Sequence, residues 1–235
     1  TADVWQKTLN AVSSFISEGN FRFTDKGVAF RAMDPSQVVL VDFFMDRKVF
    51  ERYEVEPSFV GVDLVEFSKI LSRAQPLDRL NVELDENELH VKLEGELSRS
   101  FHLPLIEVSE AEVNLPTAKF EARVEVNGRV LKEALKDAAL FGSSVVFKVK
   151  GRQLIIEARG PQGNLRIVSK EGKAVLVKDT AEVTSKYSLN FLTNIVREAD
   201  SDKPVFLELK SDAPMKVSYS IDGCALQFYL AHMIL

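Results

Sequence analysis

Apolar residues recur along this chain at helical and strand spacings, in an order that repeats. Trp5, Leu9, Val12 and Ile16 are four, three and four residues apart, which predicts a helix over 3–16 with Asp3 and Gln6 placed as a capping box. Its polar face carries Gln6, Lys7, Asn10 and Ser13. Phe21 and Phe23 alternate into Asp25-Lys26-Gly27, and Val28, Phe30 and Ala32 alternate out of it, a hairpin pattern. Pro35 fixes φ and lacks a donor, so pairing is expected to break after Met33-Asp34; Val38 to Met45 then runs as an apolar strand. Asp63, with Glu66 three residues on, caps a second expected helix whose stripe is Leu64, Phe67, Leu71 and Ala74. Lys69 and Arg73 stand off that stripe, and Pro76 is expected to end the helix. Leu80, Val82 and Leu84 lead to Asp85-Glu86-Asn87, and Leu89, Val91 and Leu93 lead back, a second hairpin. Phe101, Leu103 and Leu105 make one more strand, in which Pro104 marks an edge or a bulge.

Residues 107–118, EVSEAEVNLPTA, have the composition of a connector but include the apolar Val113, Leu115 and Pro116, with Phe120 just beyond. Apolar residues in a linker imply something for them to pack on. The pattern then restarts. A strand over Phe120 to Val126 precedes Asn127, an N-cap, and a helix with stripe Leu131, Leu135 and Ala138. Phe147 and Val149 lead to Gly151, and Ala158-Arg-Gly-Pro161 stands where Ala32-Met-Asp-Pro35 stood. The stripe Leu189, Leu192, Val196, Ala199 repeats Leu64, Phe67, Leu71, Ala74 at an offset of 125 residues, and Val205 to Leu209 repeats Leu80 to Leu84 at the same offset. This is a tandem duplication. It divides the chain into a domain over 1–107, a connector over 108–118 and a second domain over 119–235, each α+β. No strand precedes Asp3 in the first half, which, with Thr1 at the start, leads to the expectation that both chain ends are trimmed.

The chain has 235 residues, long enough for two domains with real cores, and a formal net charge of -5, which argues against general binding to nucleic acid through basicity. Cys224 is the sole cysteine and TADVWQK is no signal-peptide core, so an intracellular protein without a disulfide framework is expected. No apolar run reaches membrane-spanning length. His90, His102 and His232 lie in strand-like segments with no spacing that would place two on one metal. There is no CxxC pair, no GxxxxGK[ST] loop and no GxSxG turn, and Gly160-Pro-Gln-Gly163 fits a hairpin turn. The acidic cluster from Glu83 to Glu88 reads as a solvated hairpin tip, and Asp42 and Asp46 have no partner completing an acid-base pair. No catalytic residue, cofactor or metal is therefore expected. The positive helix positions are Lys7, Lys69, Arg73, Lys132, Lys136 and Arg197, one or more in each expected helix. Gathered on one side, they would suit phosphate contacts that position a duplex without reading bases.

FRAMDPSQVVLVDF, DLVEFSKILSRA, RSFHLPLIEV, the connector VNLP and the terminal FYLA together resemble the proliferating cell nuclear antigen family of DNA sliding clamps, most of all its archaeal members. The resemblance covers nearly the whole chain. It implies a ring of three subunits and six similar domains, with outer antiparallel sheets and inner helices around duplex DNA. The family's inner lysine and arginine positions correspond to Lys7, Lys69, Arg73, Lys132, Lys136 and Arg197. It also implies a pocket for a short hydrophobic and aromatic partner peptide, formed by Met33, Gln37, Val38 and Leu40, by Val113, Leu115, Pro116 and Phe120, by Pro214, and by Tyr229, Leu230 and Ala231. Subunits would join through edge strands near Ser98 to Leu105 and Lys173 to Asp179. The implied partners are non-sequence-specific duplex DNA, like or sister subunits, DNA polymerase, flap endonuclease, DNA ligase and the clamp loader, with no membrane. The implied place is inside the cell, the cytoplasm for an archaeal protein. Three departures stand out: His232 replaces a proline, the first strand is missing, and the acidic tail is absent. The alternatives are a specialised or checkpoint subunit active only in mixed rings, or a duplicated α+β enzyme with a small-molecule site.

Overall fold

The structure, a computed structural model, describes residues 2–109, 113–117 and 119–235. It divides into two compact units: Thr1–Pro35, Val41–Asn114 and Ser220–Leu226 form the first, and Ser36–Leu40, Leu115–Tyr219 and Gln227–Leu235 the second.

The first repeat runs α1 (Ala2–Ser13), β1 (Glu18–Thr24), β2 (Gly27–Met33), β3 (Val39–Asp46), a single 3-10 turn, β4 (Ser58–Asp63), α2 (Leu64–Leu71), β5 (Arg79–Leu84), β6 (Glu88–Glu94) and β7 (Ser98–Pro104). The order β3-β2-β1-β4 makes one antiparallel layer and β5-β6-β7 another. The helices α1 and α2 pack on each other, and α2 lies against β1, β4 and β7. The core of this unit is aromatic. Trp5 stands 6.0 Å from Phe21 and 5.5 Å from Phe67 between ring centroids, and Phe30 stacks on Phe43 at 5.2 Å. Tilted and offset rings avoid face-to-face repulsion, and each aromatic removes more apolar area from water than an aliphatic side chain does.

The second repeat runs β8 (Ala122–Asn127), α3 (Gly128–Ala138), β9 (Ser144–Lys150), β10 (Gln153–Gly160), β11 (Gly163–Val168), β12 (Val175–Thr180), β13 (Val183–Ser188), α4 (Leu189–Val196), β14 (Pro204–Leu209), β15 (Met215–Ile221) and β16 (Cys224–Leu230). The order β12-β8-β14-β15-β16 forms one layer and β11-β10-β9-β13 the other. Here Leu131, Ile156 and Leu192 are buried where the first repeat buries Trp5, Phe30 and Phe67. Tyr187, fully buried, donates its hydroxyl proton to the Ala213 carbonyl at 2.8 Å, so the phenol's polar end is paired.

The repeat expected from the stripes is present: β4, α2 and β5 reappear as β13, α4 and β14, each 125 residues later. Their caps differ. The Asp63 carboxylate accepts from the Glu66 N–H at 3.0 Å, whereas Ser188 makes no side-chain cap bond. Asn127 caps α3 as expected, accepting from Arg129 and Val130.

Several expectations are corrected. The first helix covers Ala2–Ser13, so Asp3 lies inside it and pairs with Lys7 instead of capping. α2 stops at Leu71, well before Pro76, leaving Arg73 beyond the helix and Ala74 half-buried. Pro104 ends β7, the edge of its layer, so its missing donor breaks no ladder. Parts of the expected connector, residues 110–112 and 118, lie outside the described residues.

The two repeats also differ at one layer edge. In the second, β8 is held between β12 and β14. In the first, residues 50–55 and β5, which correspond to β12 and β14, flank a cleft of about 400 Å³ lined by Trp5, Phe50, Tyr53, Leu80 and Val82.

Candidate functional site

Helix amphipathicity sets where the basic residues stand. In α3 the buried face is Leu131, Ala134, Leu135 and Ala138, which turns Arg129, Lys132 and Lys136 outward at spacings of three and four. Arg129 belongs to the same stripe and is exposed, although the sequence reading passed over it; its spacing of three from Lys132 was the available signal. Four of the six expected cations stand beside a carboxylate. Lys7 lies 3.1 Å from Asp3, Lys69 2.7 Å from Glu66, Lys136 2.9 Å from Glu133 and Arg197 3.6 Å from Glu198. The hydrogen bond and charge of Glu66 push the Lys69 ammonium above its usual range. Lys132 donates to the Ala199 carbonyl, tying α3 to the turn that follows α4. Arg73 is exposed beyond α2, and its carbonyl accepts from Arg99 at 3.0 Å. Exposed pairs of this kind contribute little to stability, but each carboxylate lowers the local positive potential.

Of the expected peptide-pocket residues, ten belong to the second unit: Gln37, Val38, Leu40, Leu115, Pro116, Phe120, Pro214, Tyr229, Leu230 and Ala231. The Ala231 N–H donates to the Val38 carbonyl at 2.8 Å, which joins the end of β16 to the loop before β3. Gln37 is left-handed with φ 59°, so the five-residue link from β2 to β3 turns sharply where β10 and β11 are joined by Pro161-Gln162 alone. Leu40 and Leu230 are buried, and Tyr229 is 7% exposed with the Lys216 ammonium 5.8 Å from its ring centroid. These three are covered and offer little open surface. Val38, Leu115, Pro116, Phe120, Pro214 and Ala231 are half-buried and Gln37 is exposed. Met33 and Val113 belong to the first unit; Met33 is 39% exposed, and the Val113 carbonyl accepts from Arg31, whose guanidinium also pairs with Asp42 at 2.9 Å. None of the twelve lines the cleft beside Trp5.

The departure at His232 does not loosen the chain end, because the Met233 N–H donates to the Lys186 carbonyl at 2.7 Å on the far side of it. β7 and β12 are both layer edges. β12 carries a bulge between Val177 and Asp179 and exposes Leu176 at 48%, and irregular, partly charged edges of this sort select one partner and discourage others. The histidine expectation needs correction: His90 on β6 and His102 on β7 are paired in register, which no spacing along one strand could reveal.

Comparison with known proteins bears on both halves. Residues 1–103 match the family model described as proliferating cell nuclear antigen, N-terminal domain, and residues 114–234 match its C-terminal domain. The chain is 37% identical to DNA polymerase sliding clamp 1 of Thermococcus kodakarensis over 95% of this chain and 92% of that one. It is 35% identical to the DNA polymerase sliding clamp of Pyrococcus furiosus over 98% and 94%. Among solved structures, proliferating cell nuclear antigen from Thermococcus kodakaraensis superposes with a TM-score of 0.94 at 28% identity, covering 99% of this chain and 97% of that one. A PCNA2-PCNA3 complex from Sulfolobus tokodaii superposes with a TM-score of 0.89, also at 28% identity, covering 98% and 96%.

Proposed function

The chain belongs to the proliferating cell nuclear antigen family, and from that premise we propose that it is a DNA sliding clamp that encircles duplex DNA as a ring of three subunits. As a member of that family it is a processivity factor and not an enzyme. The observation that carries the reading is the match of both family domains, in order, to a chain whose two repeats share a succession of elements apart from β8 and β12. Retention then comes from topology. Lys7, Lys69, Arg73, Arg129, Lys132, Lys136 and Arg197 face the duplex and make phosphate contacts that read no bases, which permits sliding. Partner enzymes, among them DNA polymerase, flap endonuclease, DNA ligase and the clamp loader, dock a hydrophobic and aromatic peptide on the surface of Met33, Gln37, Val38, Val113, Leu115, Pro116, Phe120, Pro214 and Ala231, supported from beneath by Leu40, Tyr229 and Leu230. A few buried aromatic anchors would carry most of that affinity. Such a protein works inside the cell beside its DNA, in an archaeal cell in the cytoplasm; among the described residues no helix is long and apolar enough to cross a membrane.

The test is retention of the loaded protein on nicked circular DNA against the same DNA linearised. Encirclement predicts stable retention on the circle and rapid loss from the free ends; equal loss from both would overturn it. Reversing Lys69, Arg73, Lys132 and Lys136 to glutamate is expected to weaken loading or retention while peptide binding stays unchanged. Solution mass decides the second reading, a subunit of mixed rings, which the likeness to the Sulfolobus complex favours as the alternative. A homotrimer gives three times the chain mass alone, whereas a mixed-ring subunit reaches that size only with sister subunits.

A further inference from the structure

The β5–β6 hairpin and β7 carry a side-chain cluster that includes neither the basic helix positions nor the peptide-docking residues. His90 and His102 face each other in register, with ring centroids 4.3 Å apart and planes inclined at 72°. Glu88, two residues before His90 and so on the same face of β6, places one carboxylate oxygen 3.4 Å from His90 Nε2 and 3.2 Å from His102 Nδ1. One oxygen therefore serves two ring nitrogens, and one donor atom from each of Glu88, His90 and His102 lies within 4.8 Å of the other two. Asp85 adds a fourth group, its Oδ2 2.7 Å from His90 Nε2. Its other oxygen accepts from the Asn87 and Glu88 N–H groups, each at 2.8 Å, which fixes the carboxylate at the hairpin turn.

Donor atoms about 2.0–2.1 Å from a tetrahedral ion stand roughly 3.4 Å from one another. The two distances from Glu88 to the histidines already match that edge. Two imidazoles with carboxylate oxygens suit zinc and its neighbours, whereas magnesium and calcium prefer all-oxygen sets.

We propose that Glu88, His90 and His102 form a three-residue binding site for a divalent transition metal ion of the zinc class on the β5-β6-β7 face of the first unit, with water in the fourth position and Asp85 held beside His90. The ion would replace the direct contacts between the Glu88 carboxylate and the rings and cross-link β6 to β7 beside the β7 edge. Side-chain exposures of 33% to 54% leave the site open to solvent, so ion entry needs no opening of the fold.

The full chain is titrated with zinc chloride by calorimetry and with cobalt chloride by visible absorption. The expected result is one ion per chain, with the cobalt bands of a four-coordinate nitrogen and oxygen site. His90→Ala and His102→Ala, alone and together, and Glu88→Gln should each lower affinity at least tenfold, and His232→Ala should leave it unchanged. His102→Gln, which keeps a neutral polar side chain, serves if an alanine variant does not fold. No uptake, or equal uptake by the parent and the double histidine variant, would overturn the proposal. The titration needs neither DNA nor a partner, so its outcome is independent of the clamp reading.

Discussion

Tyr187 and Cys224 are two buried groups among the described residues whose protons tie stability to pH. Burial pushes the Tyr187 hydroxyl from 10.0 up to about 12 and the Cys224 thiol from 9.0 up to about 11. Both are neutral when protonated, so at alkaline pH the unfolded chain releases these protons first. The stability held below pH 9 is therefore expected to fall as pH rises through 11 and 12, and denaturant midpoints measured across that range should show the loss. Tyr187→Phe removes one titration but also the hydrogen bond to the Ala213 carbonyl, costing about 1–3 kcal/mol at neutral pH while flattening the alkaline decline. Residue exposure also sorts the docking candidates. Leu40 is 2% exposed, so Leu40→Ala should cost about 2–5 kcal/mol in stability and would confuse a binding assay. Met33 is 39% exposed, so Met33→Ala should change stability by less than about 0.5 kcal/mol yet weaken a partner peptide. Unchanged peptide affinity on titration would remove Met33 from the docking surface. The sequence could propose both residues but could not rank them, because burial depends on what other segments bring alongside.

At the scale of elements, the duplication supplies an internal control. Asp63 and Ser188 stand at the same place before α2 and α4, 125 residues apart, but only Asp63 accepts a cap hydrogen bond. Asp63→Ala is expected to cost about 1 kcal/mol, and Ser188→Ala less than about half of that, measured by urea unfolding. Asn127→Ala should resemble Asp63→Ala, since its side-chain oxygen serves two N–H groups. The helices and hairpins were readable because their stripes and turns are local: Leu64, Phe67 and Leu71 are buried as their spacing requires, and Asp25-Lys26 and Asp85-Glu86-Asn87 turn where expected. Helix ends were less readable. Arg73 continues the spacing of Lys69 by four, but the chain leaves the helix after Leu71, where the Arg73 N–H turns to the Ile70 carbonyl and the Arg73 carbonyl accepts from Arg99.

For the whole molecule, charge and edges decide how it meets other molecules. Because Lys69 and Lys136 already lie beside Glu66 and Glu133, the helical faces are less positive than their basic residues suggest. Glu66→Ala with Glu133→Ala should strengthen DNA contact and steepen its dependence on salt, each freed cation that reaches a phosphate adding about 0.9 to the slope of log affinity against log salt. An unchanged slope would show that these helices do not face DNA. Assembly tests the edges. Leu176→Asp, at an exposed position of β12, should reduce the solution mass toward a single chain without lowering the unfolding midpoint, as light scattering and urea titration would show. An unchanged mass would place the subunit contact elsewhere.

By itself the sequence determined the α+β class, the duplication, the strand and helix types and the stripe of basic residues, because each follows from spacing within a few turns or strands. Tertiary structure decided what depends on distant segments meeting: which cations have carboxylates beside them, which docking residues are covered, and how the chain end is pinned by Ala231 to Val38 and Met233 to Lys186. It also decided the meeting of His90 and His102. Twelve residues apart, they share a site only because β6 and β7 pair in that register, and pairing register is set by which faces the sheet must bury.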